Sequence, residues 1–296
     1  MTKIDFTNVG KTALLVAHFR AYTRNPVTRR IAKESNASET AKEFFDSAGD
    51  MKRAAAWLPL MLEVRTRGLT EIVKDRVAKG TRAVVEIGAG VAVERALEIS
   101  EDPEVHYALT DYNHELVALQ TRIVGKELGH LRRNLDYICI DALNAGENHA
   151  ICNLMGTSFD KVIEGVMPYF DMAQKKNFWK VSRETMSPGS AVLTTDILTK
   201  PRLKFLLANQ PERYRLLEKL SGISGHSMIE NAYTDENEPL EMAREAGFKA
   251  HYEPLFEGRG YELTSPGIIE AIEGVKPSPE DIARFSERRA LVAVKR

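Results

Sequence analysis

The stretch AVVEIGAGVAVERALEI, Ala83 to Ile99, decides the fold of this 296-residue chain. An apolar run leads into Gly88, Ala89 and Gly90, and a helical pattern follows. A strand that ends in a small-residue turn and passes into a helix outlines a nucleotide-binding site. The dinucleotide form needs G-x-G-x-x-G, and here Val93 holds the third glycine position. The bulkier side chain argues against the close helix–strand approach of that form. The phosphate loop G-x-x-x-x-G-K-[ST] is absent.

Outward from this turn, short apolar runs alternate with helical stretches. The runs are AVVEIG, VHYALTD, LDYICID, FDKVIEGV and SAVLTTDI; between them lie VERALEI, NHELVALQTRIVGKELG and DMAQKKNFWKVSRETM. Such alternation predicts an α/β fold: a parallel sheet with crossover helices on both faces. FKAHYEPL and RALVAVKR add two late strands, seven in all. Residues 11 to 80 read as helical, interrupted at Pro26 and Pro59, and residues 200 to 245 are helical again with a loop. The expected organisation is a helical N-terminal cap over 1–80 and a nucleotide-binding domain over 81–296, with a lid insert at about 200–240.

Composition narrows the function. A hydrophobic share of 43% with 28% charged residues is that of an ordinary globular protein. The net charge is -1 and the basic clusters are only pairs (Arg29-Arg30, Arg132-Arg133), which speaks against a nucleic-acid partner. Cys139 and Cys152 form neither a disulfide framework nor a zinc pattern, and their apolar neighbours suggest buried thiols. The histidines show no paired ligand spacing, so no metal is expected. No run approaches the ~18 apolar residues of a membrane span. The beginning, MTKIDFTNVGKTALL, does not resemble a secretory signal. The expectation is a cytoplasmic protein with no membrane partner; the oligomeric state is left open.

The acids indicate the ligand. Glu86 lies in the first predicted strand, Asp111 ends the second, Asp141 the third and Glu164 the fourth. Ligands of open parallel sheets bind at the carboxyl ends of the strands. Four carboxylates around one crevice disfavour a pyrophosphate and attract a cation. S-adenosylmethionine fits, with a sulfonium, an ammonium, a ribose and no phosphate; S-adenosylhomocysteine would be its product. Asp111 lies 21 positions after Gly90, near the ~20-residue offset at which an acid reaches a ribose. Asp141 is then expected beside the adenine, with Ala142 and Leu143 as backbone contacts and apolar wall. Glu164 and Gly165 would lie beneath the methionine part. Tyr112 is grouped with the cofactor residues.

Together, RTRGLTEIVKDRVAKGTRAVVEIGAG, HYALTDYNHE, ICIDALN, DKVIEGVMPYF and GSAVLTTDI resemble the leucine carboxyl methyltransferase family, which includes the tetracenomycin-type polyketide O-methyltransferases. The likeness runs from about Lys11 to Phe256. It implies a Rossmann-like class I methyltransferase fold and an S-adenosylmethionine-dependent enzyme. It also implies that Arg65, first arginine of the RTR segment, pairs with the cofactor's carboxylate, as a planar guanidinium can do bidentately. Arg67 is the fallback. The expected crevice is thus a ring of acids relieved by a lone guanidinium. The family often has GAGLDTR after the first strand; here Ala92-Val93 replace the Asp-Thr pair, which leaves the subfamily and substrate open.

Methyl transfer to an oxygen mostly requires positioning. A carboxylate acceptor needs no general base, whereas a phenol or alcohol can need one. Tyr169 and His226 are the candidate catalytic residues, with His18 a further base candidate. Arg20, Tyr22 and Tyr233 are candidate substrate contacts, and His114 reads as a helix-surface residue. The leading expectation is O-methylation of a carboxylate or hydroxyl on a small-molecule metabolite. The alternatives are an N- or C-methyltransferase, a protein C-terminal carboxyl methyltransferase and a non-catalytic cofactor-binding module. An NAD-dependent dehydrogenase is disfavoured by the glycine pattern and the charge.

Overall fold

The computed structural model describes residues 8–21, 26–46, 58–128, 132–255, 270 and 289–296. Four helices come first: α1 (Asn8–Arg20), α2 (Pro26–Glu34), α3 (Ala37–Asp46) and α4 (Leu58–Ala78). Pro26 and Pro59 sit where helices begin, the positions at which a missing N–H costs nothing. Strand β1 (Ala83–Ile87), helix α5 (Glu94–Ile99) and strand β2 (His106–Asp111) follow, then α6 (His114–Leu128) and β3 (Leu135–Cys139). Next come α7 (Ala145–Met155), β4 (Asp160–Ile163), α8 (Met172–Thr185) and β5 (Ala191–Thr194). Helices α9 (Lys200–Asn209), α10 (Pro211–Ser224) and α11 (Glu238–Glu245) precede β6 (Phe248–Pro254) and β7 (Arg289–Lys295).

The seven strands form one sheet in the order β3-β2-β1-β4-β5-β7-β6. β1 to β5 are parallel to their neighbours, and β7 runs antiparallel to both β5 and β6. The expected mixed seven-stranded α/β sheet is therefore present. The chain moves outward from β1 to β3 and returns to β4 on the other side, so β1 and β4 flank a switch point. Alternate side chains feed opposite faces. Val84 and Val162 join one apolar core with helix residues such as Leu60, Leu69, Leu116 and Leu119; Val85 and Ile163 join the other with Ile151, Phe178 and Trp179.

Helix α7 has no counterpart in the sequence reading. Its stretch, AGENHAICNLM, buries only Asn148, Ile151 and Met155, too few for a visible stripe. The Asn144 side chain caps it by accepting from Gly146 N and Glu147 N. The cysteines also differ from expectation: Cys139 and Cys152 are free but only half-buried.

Helix α4 crosses the sheet and sets the position of the RTR segment. Near its end, Arg76 Nε and Nη2 donate to the two Asp160 oxygens at 2.8 and 2.9 Å, where β4 begins. Asp160 also accepts from Ala191 N at 2.7 Å, which ties β5 to the same point. Eleven residues earlier, at ~1.5 Å per residue, α4 brings Arg65 to Thr195 and Asp196 just past the end of β5.

Candidate functional site

The turn after β1 is held from β2. Gly88 and Gly90 have φ of 62° and 60°, a left-handed conformation that side-chain-bearing residues adopt at a cost. A Cβ on Gly88 would stand 2.3 Å from Val166 Cγ2, so the turn and the loop after β4 touch at a point without room for a side chain. Asp111 Oδ2 accepts from Gly90 N at 2.9 Å, and Oδ1 accepts from Asn113 N at 3.0 Å. Burial pushes the Asp111 carboxyl above its ordinary value, and the N–H groups of Asn113, Gly90 and Tyr112 oppose that rise. Each carboxylate oxygen has a further lone pair for an incoming hydroxyl.

This turn opens on a cavity of about 1350 Å³ that spans the carboxyl ends of the first five strands. Glu86, Gly88, Ala89 and Gly90 border it from β1, and Asp111 and Tyr112 from β2. Asp141, Ala142 and Leu143 border it after β3, and Glu164, Gly165 and Tyr169 after β4. Arg20, Arg65 and His226 come from the helical elements. His114 is exposed at the start of α6 and borders the cavity too.

Two expectations need correction. Tyr233 lies outside the cavity lining and is only 2% exposed. Its ring lies 4.2 Å from Lys175 Nζ, and its carbonyl accepts from Lys200 N, so it packs in the core beneath the insert. The tyrosine had been selected for its place in a loop, but burial removes it from the cavity. The lone guanidinium is also overturned, because three arginines meet the acids here. Tyr22 lies outside the described residues.

Glu164 is the centre of the ion network. Its Oε1 accepts from Arg20 Nη2 and Thr66 Oγ1, both at 3.1 Å, and its Oε2 from Arg95 Nη2 at 2.6 Å. Arg65 Nε lies 3.9 Å away. Burial alone would raise the Glu164 carboxyl, but Arg20, Arg95 and Arg65 together bring it down to about 2. Arg95, fully enclosed, also donates to Glu86 Oε1 at 2.5 Å, and Tyr107 OH donates to Glu86 Oε2 at 2.5 Å. Burial pushes Glu86 up despite Arg95 and Tyr107. The side chain of Glu86 thus borders the cavity with both oxygens already bonded.

Asp196, which the reading of four strand ends passed over, organises the loop after β4. It accepts from Gly165 N, Val166 N and Met167 N at 2.7, 2.8 and 3.0 Å, and from Arg65 Nη2 at 2.7 Å. Its signal was visible: TTDI places another acid just past a strand end, on the same rule as the other four. Arg95 gave less warning, since VERALEI shows an arginine but not that it faces inward. Arg65 also donates from Nε to Thr195 Oγ1 at 3.1 Å. Among the described residues its Nη1 has no partner, which leaves donors for an incoming carboxylate beside Gly165. Arg67 instead pairs with Glu63 at 3.1 Å and is absent from the cavity lining.

Asp141 is exposed, and its Oδ1 accepts from Leu143 N at 2.8 Å. Tyr169 and His226 meet edge to face, with ring centroids 6.3 Å apart. Tyr169 OH donates to Thr12 Oγ1 at 3.1 Å, and burial pushes the phenol above its ordinary value. It therefore keeps its proton at neutral pH. The insert is fastened here: Asn231 Nδ2 donates to the carbonyls of Pro168 and Tyr169, both at 3.3 Å. His18 is half-buried outside the lining, and burial lowers it, which favours neutral imidazole. Among the described residues there is no cluster suited to a metal ion, and no helix is long and apolar enough to cross a membrane.

This architecture is similar to solved structures of class I methyltransferases. One is a candidate methyltransferase from Thermobifida fusca YX, at 14% identity and a TM-score of 0.60, covering 96% of this chain and 94% of that one. Another is an O-methyltransferase family protein from Burkholderia thailandensis, at 13% identity and a TM-score of 0.50, covering 100% of this chain and 74% of that one. A third is PigF with S-adenosylhomocysteine, at 14% identity and a TM-score of 0.50, covering 85% of this chain and 62% of that one. No protein-family model matches the chain, and no curated protein sequence does. At such identities the likeness establishes the fold: the chain has the Rossmann-like fold of class I methyltransferases.

Proposed function

We propose that the protein is an S-adenosylmethionine-dependent methyltransferase that methylates a carboxylate or hydroxyl of a small-molecule metabolite. The observation that carries this reading is the left-handed glycine turn braced by Asp111 at the head of an acid-lined cavity. The donor set suits the cofactor and not a dinucleotide. Glu94 opens α5 where a pyrophosphate would seek positive charge, and Asp111 keeps acceptor capacity for ribose hydroxyls. Arg65 Nη1 suits the cofactor's carboxylate, and Asp141, Ala142, Leu143 and Tyr112 surround the adenine end. The fold it shares with PigF, solved with S-adenosylhomocysteine, agrees. The sequence likeness to the leucine carboxyl and tetracenomycin-type family supports oxygen as the acceptor atom.

When bound, the cofactor would supply a methyl group on a sulfonium, already activated for displacement. The protein's work is then placement. The neutral Tyr169 phenol donates and orients the acceptor oxygen, and the His226 imidazole beside it can take a proton from a hydroxyl acceptor. Glu164 and its arginines fix the floor. In this reading residues 1–80 form the cap, and the insert at about 200–240 closes over the acceptor and excludes water. Calorimetric titration tests the cofactor: S-adenosylmethionine and S-adenosylhomocysteine should bind and NAD should not. Binding of NAD alone would refute the reading. With the acceptor in hand, mass spectrometry should show a gain of one CH2 at oxygen.

A further inference from the structure

The cavity has a second wall unlike the first. Leu15 and Phe19 of α1, Met61 and Leu62 of α4, and Leu216 and Leu220 of α10 all border it. These six also belong to one hydrophobic cluster, separate from the two that cover the sheet faces. They therefore pack around the cavity rather than against the sheet. Ligand cavities are commonly ~300–1,000 Å³. One of about 1350 Å³ has room for a cofactor and a second ligand of comparable size.

The lining indicates what kind of ligand. The rings of Tyr112, Tyr169 and Phe170 stand on the loops that follow the strands. Of the six residues of the helical wall, only Phe19 is aromatic, and it already meets the His18 ring edge to face at 5.6 Å. A fused-ring ligand would be met here mostly by leucines and a methionine, with little to stack on. A flexible aliphatic chain matches them, and methionine adapts readily to such a shape. The α1 and α4 arginines that border the cavity, Arg20 and Arg65, are bonded to Glu164 and Asp196 and so belong to its polar side.

We propose that the methyl acceptor is an amphiphile whose aliphatic chain lies between α1, α4 and α10 and whose oxygen-bearing end lies at Tyr169 and His226. The placement of the polar end rests on the methyltransferase reading; the chain site is measured without it. The test is calorimetry on the full-length protein, with and without S-adenosylhomocysteine, using straight-chain carboxylates of increasing length below their micelle concentrations. Affinity should tighten about fourfold per added CH2 until the site is filled. Leu220, half-buried, is the place to shorten it. Leu220→Trp should weaken the longest acids at least tenfold, on the order of two buried CH2 groups, and leave S-adenosylhomocysteine affinity unchanged. Leu220→Gln should lower the gain per CH2 without shortening the series. Chain-length-independent affinity, or naphthoate binding as tightly as the longest acid, would overturn the proposal. A chain-length series in a protein that ignores S-adenosylhomocysteine would support the chain site and overturn the methyltransferase reading. Bound S-adenosylhomocysteine with a flat series would do the reverse.

Discussion

The two sides of the cavity are made of opposite materials. At the strand ends, position is fixed by charge and backbone amides: Asp111 holds Gly90, Asp196 holds three successive N–H groups, and Glu164 gathers Arg20 and Arg95. Across from them, α1, α4 and α10 offer aliphatic side chains that are held by packing alone. Directional bonds tie the first side to one geometry, whereas leucines and methionines can repack around ligands of different shape. A preorganised cofactor site facing an adaptable acceptor site is a sensible division of labour for a methyltransferase.

The contrast breaks most severely at Arg95. Arg95→Met would leave Glu86 and Glu164, 5% and 4% exposed, without their shared cation. Losing one partner of a buried ion network costs about 3–5 kcal/mol. Urea unfolding should show a loss of this order, and a loss below about 1 kcal/mol would mean that the network is no more than surface pairing.

Acid titration probes the same network. The folded Glu164 carboxyl lies at about 2, below its value of 4.5 in the unfolded chain. Its stabilisation is therefore complete above about pH 4.5 and is lost as pH falls towards 2, for a total of about 3 kcal/mol. Glu86 and Asp111 are shifted upward by burial, so their contributions have the opposite sign and fade as pH rises through their folded values. Glu164→Gln should be less stable at neutral pH and lose less than the native protein between pH 4.5 and 2. Parallel acid curves would contradict the assignment.

Gly88→Ala sharpens the contrast at the turn. The left-handed φ costs an alanine about 1–2 kcal/mol, and the new methyl meets Val166 Cγ2. The variant should be destabilised by at least that amount and bind S-adenosylhomocysteine more weakly. Adding Val166→Ala should recover the clash but not the backbone cost, as paired denaturation curves would show. The smallest effect is expected at Asp141, which is exposed and already bonded to Leu143 N. Asp141→Asn should reduce S-adenosylhomocysteine affinity by about 1 kcal/mol or less in the same calorimetric assay.

The division between the two sides also governs what the sequence reveals. Strands β1 to β5 announce themselves as apolar runs, and Gly88, Gly90 and Asp111 keep a fixed offset because neighbouring parallel strands impose it. The acid after β5, Asp196, was legible by the same rule. Arg95 was not, because its inward course depends on packing among α4, α5 and β1, which lie far apart in sequence. The apolar wall was hidden for a related reason: Leu15, Met61 and Leu216 come from three separate helices, and only tertiary structure brings them to one space. Tyr233 shows the converse error, a loop residue with suitable chemistry that the fold places in the core.

The most direct test of the cofactor site is the affinity of Asp111→Ala for S-adenosylhomocysteine, measured by calorimetry beside the native protein, with cooperative unfolding confirming that the variant is folded. If Asp111 braces the glycine turn and receives the ribose, affinity should fall by about 1.5–3 kcal/mol, roughly 10- to 100-fold. A folded variant that binds as tightly as the native protein would contradict the account.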